Sequence, residues 1–375
     1  MLTFHSYPSR TLALSVAIAM FQWISLLLPR TQAQEAGPPP VTLPAAKFAV
    51  GYRVIQVAAP NAKGVTHTMD VALWYPTSST PRAFQYDFGS HQVGALVAAE
   101  GTVAAGKFPL VIYSHGATGG GLSSLFLTQR LASQGYIVAA PDHTDDYSVV
   151  RINSRQVPAQ TGLYRLGLLR YLQELRTVRL DREARKYRTL MAYRPQQVTA
   201  TLDALLKQSP VAANIDADRI ALVGHSLGAW TAMLLGGADS RFADPRFKAI
   251  VALSGPVNAN IYDDKELAAI QAPVMLMYGT TEVKQGRGND RELLFDRLGR
   301  QAVFLIPIEG ADHVTFSAGG RKEFATVAGF LERDARRAKI VKYTESFLEA
   351  TLNADVTAKQ FLLQDVQGHL HKNVK

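Results

Sequence analysis

The sequence predicts an α/β fold on a mostly parallel, doubly wound sheet. Three observations carry this expectation. Six short apolar runs have strand length, helix-like segments separate most of them, and the 375 residues are 47% hydrophobic and 19% charged, a globular composition with enough apolar material for a large core. The runs are "FPLVIYS", "YIVAAP", "RIALVG", "AIVALSG", "PVMLMYG" and "AVFLIPI". Continuous rather than alternating hydrophobicity is what a strand buried on both faces requires.

Ahead of these runs, "FAVGYRVIQVAA" and "THTMDVALWYP" read as two antiparallel strands. The segments "LSSLFLTQRLASQG", stopped by Gly135, "RPQQVTATLDALLKQSP", "SLGAWTAMLLGG" and "NDRELLFDRLGR" read as helices. No internal repeat is present. The N-terminus is of a different kind: Arg10 precedes the apolar run "TLALSVAIAMFQWISLLL", and small residues near Ala33 suit cleavage. Residues 1–34 are therefore an expected export signal, the alternative being an uncleaved membrane anchor. Residues 35–45 form a Pro-rich linker and 46–355 the α/β domain, which carries an insertion over 144–193; residues 356–375 are a polar C-terminal tail.

The chain has no cysteine, so disulfides, thiolate metal sites and a cysteine nucleophile are excluded. Its formal charge of +9 is concentrated: 11 basic and 3 acidic residues lie between Arg151 and Arg194. A nucleic-acid-binding domain would spread its charge along a groove, so this pattern argues against one. Leu and Tyr recur at near-helical spacing in "LYRLGLLRYLQEL". The insertion therefore reads either as an amphipathic lid over the carboxyl edge of the sheet, with peripheral contact to an anionic membrane surface, or as a solvated helical excursion.

The chemistry is carried by "RIALVGHSLGAW". A strand runs into a serine flanked by Gly224 and Gly228 and then into a helix, a turn that strains Ser226 and lifts its hydroxyl beside the helix N-terminus. A serine needs a base and a group to orient that base. His313, in the loop after "AVFLIPI", is the histidine placed at the carboxyl edge. Glu282, three residues past Gly279 at the carboxyl edge and in the order Ser, carboxylate, His, is the chosen acid; Asp290 is the local competitor and Asp312, too close to His313 along the chain to reach its ring easily, a second. The loop "YSHGATGGG" can aim the Ala117 N–H at an oxyanion, opposite the N–H of Leu227. None of this chemistry needs a metal or cofactor.

Taken in order, "VALWYP", "PLVIYSHGATGG", "RLASQGYIVAAPDH", "YRPQQVTATLDALL", "ALVGHSLGAW", "ADHVTF" and "TESFLEATLNAD" resemble the serine α/β-hydrolases. Within them the likeness is to bacterial proteins identified as predicted dienelactone hydrolases, close to the platelet-activating-factor acetylhydrolases. The resemblance spans roughly residues 45 to 355 and implies the α/β-hydrolase fold, Ser226 as nucleophile, His313 as base, and Ala117 and Leu227 as oxyanion donors. Two departures matter. Dienelactone hydrolases use cysteine, so the serine points to ordinary esters. The acetylhydrolases take their acid after the preceding strand, where this chain has Ser254, which returns the role to Glu282. The expected function is thus an exported serine hydrolase of short-acyl, lipid or polyester-like esters. The alternatives are an acyltransferase, a peptidase, or a non-catalytic binding protein on the same scaffold.

Overall fold

The computed structural model describes residues 42–374, apart from 160, 181–187, 190, 256–260, 285–289, 300, 319–324, 365 and 367. The expected export segment lies outside the described residues, as do most of the linker and part of the insertion.

Among the described residues the strands form one sheet of 11, in the order β11-β10-β9-β8-β7-β5-β6-β2-β1-β4-β3. Its centre is β5 (Phe108–Ser114), β6 (Ile137–Pro141), β7 (Ile215–His225), β8 (Phe247–Leu253), β9 (Val274–Gly279) and β10 (Val303–Ile308), all paired in parallel. These are the six apolar runs. β1 (Ala49–Pro60) and β2 (Thr66–Thr77) form the antiparallel hairpin expected from the sequence, with Gly51 opposite Tyr75, and β2 joins the centre through β6.

Strand alternation divides the core in two. Ala221 and Val223 of β7 face one apolar cluster, while Ile220 and Leu222 face the other. The first cluster is closed by α1 (Leu125–Ser133), α8 (Val327–Glu332) and α9 (Ala335–Leu352), through residues such as Phe126, Phe330 and Phe347. The second is closed by α3 (Tyr193–Gln208), α4 (Leu227–Met233), α5 (Asp264–Ala269) and α7 (Asp290–Arg297), through residues such as Leu202, Trp230 and Phe295. Helices on both faces are the reason the central strands carry continuous apolar runs.

Two regions differ from the sequence reading. Residues 82–99 hold an additional hairpin, β3 (Arg82–Asp87) and β4 (Gln92–Ala99), with β4 also pairing in parallel with β1. The residues read as a polar tail contain α10 (Val356–Leu362) and β11 (Leu370–Lys372), which pairs antiparallel with β10. Leu362 is buried, and His371 packs on Phe304. A three-residue polar strand gives no periodicity to detect; pairing with the edge of β10, not apolar pattern, makes it a strand. The insertion carries α2 (Gly162–Leu180), at the helical spacing the sequence indicated.

Candidate active site

The turn from β7 into α4 is fixed by close packing of backbone. A Cβ on Gly224 would lie 2.1 Å from the Gly228 carbonyl oxygen, and one on Gly228 would lie 1.9 Å from that of Ser114. Neither position accepts a side chain. Between them Ser226 adopts φ 54° and ψ −116°, a strained conformation costing about 1–3 kcal/mol that persists because its N–H is held by the Leu253 carbonyl at 2.9 Å. The hydroxyl is thereby lifted clear of the sheet.

His313 opens a single 3₁₀ turn, His313–Phe316, directly after β10. Its Nε2 is 2.9 Å from Ser226 Oγ. Asp312 caps that turn: its Oδ1 accepts from the Thr315 N–H at 2.8 Å and from the Thr315 hydroxyl at 2.6 Å. The short helix α6 (Thr280–Lys284) follows β9 and carries Glu282, which is 1% exposed. Its Oε1 accepts from the Gly279 N–H at 3.0 Å, and its Oε2 from Arg291 Nη2 at 2.9 Å. Glu282 Oε2 lies 3.6 Å from His313 Nδ1, and Ser254 Oγ sits between the two groups. Burial would raise the Glu282 carboxyl, but His313, Arg291 and the Gly279 N–H outweigh it and hold the group at about 2. Ser226, His313 and Glu282 therefore meet at one corner of the sheet. Asp290 is the first residue of α7.

The glycine-rich loop passes against this corner. A Cβ on Gly116, the residue before Ala117, would come within 3.0 Å of Ser226 Cβ. Leu227 is the first residue of α4, where helical geometry leaves the N–H without an intrahelical partner. Both residues are half-buried.

Behind the loop lies a buried polar network that the sequence did not reveal. His115 Nε2 accepts the His143 N–H at 3.0 Å, so the ring carries its proton on Nδ1 and donates it to the Gly116 carbonyl at 2.8 Å. His143 donates from Nδ1 to Gln197 Oε1 at 2.9 Å and takes a bond from the Ser114 hydroxyl on Nε2 at 2.8 Å. Arg194, fully buried, donates to the His115 carbonyl at 2.7 Å and forms a bidentate ion pair with Asp145, which also accepts from the Tyr193 hydroxyl at 2.6 Å. Burial, reinforced by the Arg194 cation, pushes His115 down to about 3 and keeps its ring neutral. Arg194 holds Asp145 well below the ordinary carboxylate range against its burial.

The insertion is rooted on the same loop. The Val149 N–H donates to the Thr118 carbonyl at 2.8 Å, and a Cβ on Gly120 would meet the Val150 carbonyl at 2.1 Å. Tyr164, Gly167 and Tyr171 turn α2 toward Tyr147, while Leu163, Leu166, Leu169, Arg165 and Arg170 are exposed. Not all of the basic excess faces solvent: Arg188 is buried against Glu266 and Arg194 against Asp145. Among the described residues no group of three or more His, Asp or Glu could hold a metal ion.

Residues 59–286, more than half of the chain, match the family model of platelet-activating factor acetylhydrolase, isoform II. A platelet-activating factor acetylhydrolase of Bos taurus is 30% identical over 232 residues, 56% of this chain and 48% of that protein. One from Cavia porcellus is 23% identical over 275 residues, 68% of this chain and 60% of its own length. The chain thus spans less than two thirds of the curated relatives it matches. Among solved structures, a ferulic acid esterase from Streptomyces cinnamoneus superposes with a TM-score of 0.59 at 18% identity, covering 88% of this chain and 98% of that one, a likeness of α/β-hydrolase fold. The strand order, the serine turn and the match over residues 59–286 agree, and the chain belongs to the platelet-activating factor acetylhydrolase, isoform II, family.

Proposed function

We propose that the protein is an exported serine hydrolase that cleaves carboxylic esters through an acyl-enzyme. The observation that carries the reading is the 2.9 Å contact between Ser226 Oγ and His313 Nε2, made by a serine held at φ 54° between two glycines that admit no side chain. As Ser226 attacks the ester carbonyl, His313 takes its proton on Nε2 and Glu282 stabilises the imidazolium. The N–H groups of Ala117 and Leu227 receive the oxyanion. Collapse of the tetrahedral intermediate breaks the C–O bond, and His313 returns the proton to the departing alcohol. Water, deprotonated by His313, then attacks the acyl-Ser226 ester and releases the acid.

Short-acyl, lipid and polyester-like esters are the substrate classes of this reading. The exposed leucines and arginines of α2 favour substrates presented at a surface, with peripheral contact to anionic lipid. Export rests on the apolar run after Arg10. Among the described residues no helix is long and apolar enough to cross a membrane.

The test is hydrolysis of p-nitrophenyl esters of graded chain length, together with labelling by a fluorophosphonate. The wild type should hydrolyse them and take up one equivalent of label on Ser226. Ser226→Ala and His313→Ala should each lower kcat by about 10⁴-fold or more while folding normally, and the double variant should be scarcely worse. Hydrolysis retained by Ser226→Ala would overturn the mechanism.

A further inference from the structure

Ser254 lies between the candidate base and the candidate acid. Its Oγ is 2.6 Å from His313 Nδ1 and 2.8 Å from each oxygen of Glu282. The direct approach of carboxylate to ring, 3.6 Å, is beyond hydrogen-bond reach. A carboxylate can only accept, so the single Ser254 hydroxyl proton goes to Glu282 and its lone pairs face His313. That arrangement places the imidazole proton on Nδ1 and leaves Nε2 free to take the proton of Ser226. We propose that Ser254 is a positioning residue that relays Glu282 to His313, so that the working unit is a chain of four side chains, Ser226, His313, Ser254 and Glu282. The proposal rests on the ester-hydrolase reading above.

The surroundings of Ser254 are built for this. It is 1% exposed and directly follows β8, with φ 45°, a conformation non-glycine residues seldom adopt, fixed by its N–H donating to the Met277 carbonyl at 2.6 Å. Glu282 is in turn held by the Gly279 N–H and by Arg291, so it is fixed where it meets the hydroxyl rather than the ring. The other titratable and charged groups near His313 are His225, whose ring centre is 5.0 Å away, Arg291 behind Glu282, and Asp312 in its own turn. None of these bonds Nδ1 in place of Ser254 among the contacts described.

Four variants of the full chain decide it: Ser254→Ala, Glu282→Gln, their double, and Ser254→Asp/Glu282→Gln. Asp tolerates a positive φ better than β-branched residues and would put a carboxylate directly at Nδ1. Ser254→Ala should lower kcat about 10- to 100-fold with KM within about twofold, and should move the acid limb of the kcat/KM profile to lower pH, because the ring loses its link to the negative charge. The Ser254→Ala/Glu282→Gln double should be no worse than Glu282→Gln alone. Ser254→Asp/Glu282→Gln should recover activity to within about tenfold of the wild type, and it carries the test by itself if Ser254→Ala does not fold. Unchanged kcat and pH profile in Ser254→Ala, or losses that multiply in the double, would overturn the relay while Ser226→Ala and His313→Ala remain inactive. Full activity in Ser226→Ala would instead overturn the underlying reading.

Discussion

His225 donates its Nε2–H to the backbone carbonyl of His313 at 3.0 Å, so the residue preceding the candidate nucleophile anchors the turn that carries the candidate base. Its ring stacks on Phe316, 6.2 Å away at 16°, and burial, with the adjacent His313 adding to it, holds it neutral at about 3. His225→Phe keeps the stacking and removes the donor, leaving a carbonyl unsatisfied at a cost of about 1–3 kcal/mol. We expect kcat to fall roughly tenfold through looser placement of the imidazole, with KM little changed. Steady-state kinetics and a thermal melt check both, and a variant with wild-type kcat would show that the turn positions His313 unaided.

Arg194 and Asp145 form an ion pair with almost no access to water, and Arg194 also holds the carbonyls of His115 and Gly116 behind the glycine-rich loop. Removing one partner leaves a buried, unpaired charge. Arg194→Met and Asp145→Asn should each lower the free energy of unfolding by about 3–5 kcal/mol, and the double variant should regain part of that loss. Arg194→Met should also lower kcat, because the loop bearing Ala117 loses two of its carbonyl anchors. Denaturant titrations of the three variants measure the coupling, and simple addition of the two single losses would contradict it.

The six parallel strands are legible because burial on both faces writes itself as continuous apolar runs, and Ser226 is legible because its turn needs Gly224 and Gly228 at fixed spacing. His313 and Glu282 follow from their places after β10 and β9. Ser254 could be flagged only as a missing carboxylate, since a hydroxyl bridging two groups 28 and 59 residues away has no local pattern. Arg194 reads as part of a basic segment because charge counting does not separate a cation facing water from one paired inside. β3 and β11 escape a sequence reading because they are short edge strands with exposed faces, and β4, between β1 and β3, alternates weakly; all three take their form from pairing.

The outward face of α2 supplies a third expectation. Leu163, Leu166 and Leu169 are 83%, 48% and 51% exposed, alongside Arg165 and Arg170. Replacing the three leucines by Asp should weaken sedimentation with anionic vesicles several-fold and slow hydrolysis of long-chain esters, with little effect on a short soluble ester. Added salt should weaken the wild-type adsorption. Equal adsorption of variant and wild type would leave α2 a solvated excursion without a surface role.

Acid should unfold the protein steeply. His115 and His225 are held at about 3, and His143 is also pushed well below the ordinary imidazole range, all chiefly by burial. A group depressed on folding contributes stability that is present above its unfolded value, about 6.5 for histidine, and is lost as pH falls toward the folded value. Below about pH 6 these three imidazoles therefore take up protons in the unfolded chain that they refuse in the native one. Asp142 acts in the opposite sense: burial raises it to about 6 despite the N–H bonds of Gly121 and Ile152, so the native state takes up one proton that the unfolded state does not. Over these four groups the difference is about two protons between pH 6 and 4.5, a loss of roughly 3 kcal/mol per pH unit. Below about pH 4.5 Glu282 adds to the loss, since its native carboxyl stays ionised down to about 2 while the unfolded one is protonated. Urea titrations at pH 7, 6 and 5, read by the fluorescence of buried Trp74 and Trp230, should show the midpoint falling sharply. His225→Phe should flatten the slope by about one proton, roughly 1 kcal/mol per pH unit. A midpoint unchanged from pH 7 to 5 would mean that these imidazoles are not kept neutral by the fold.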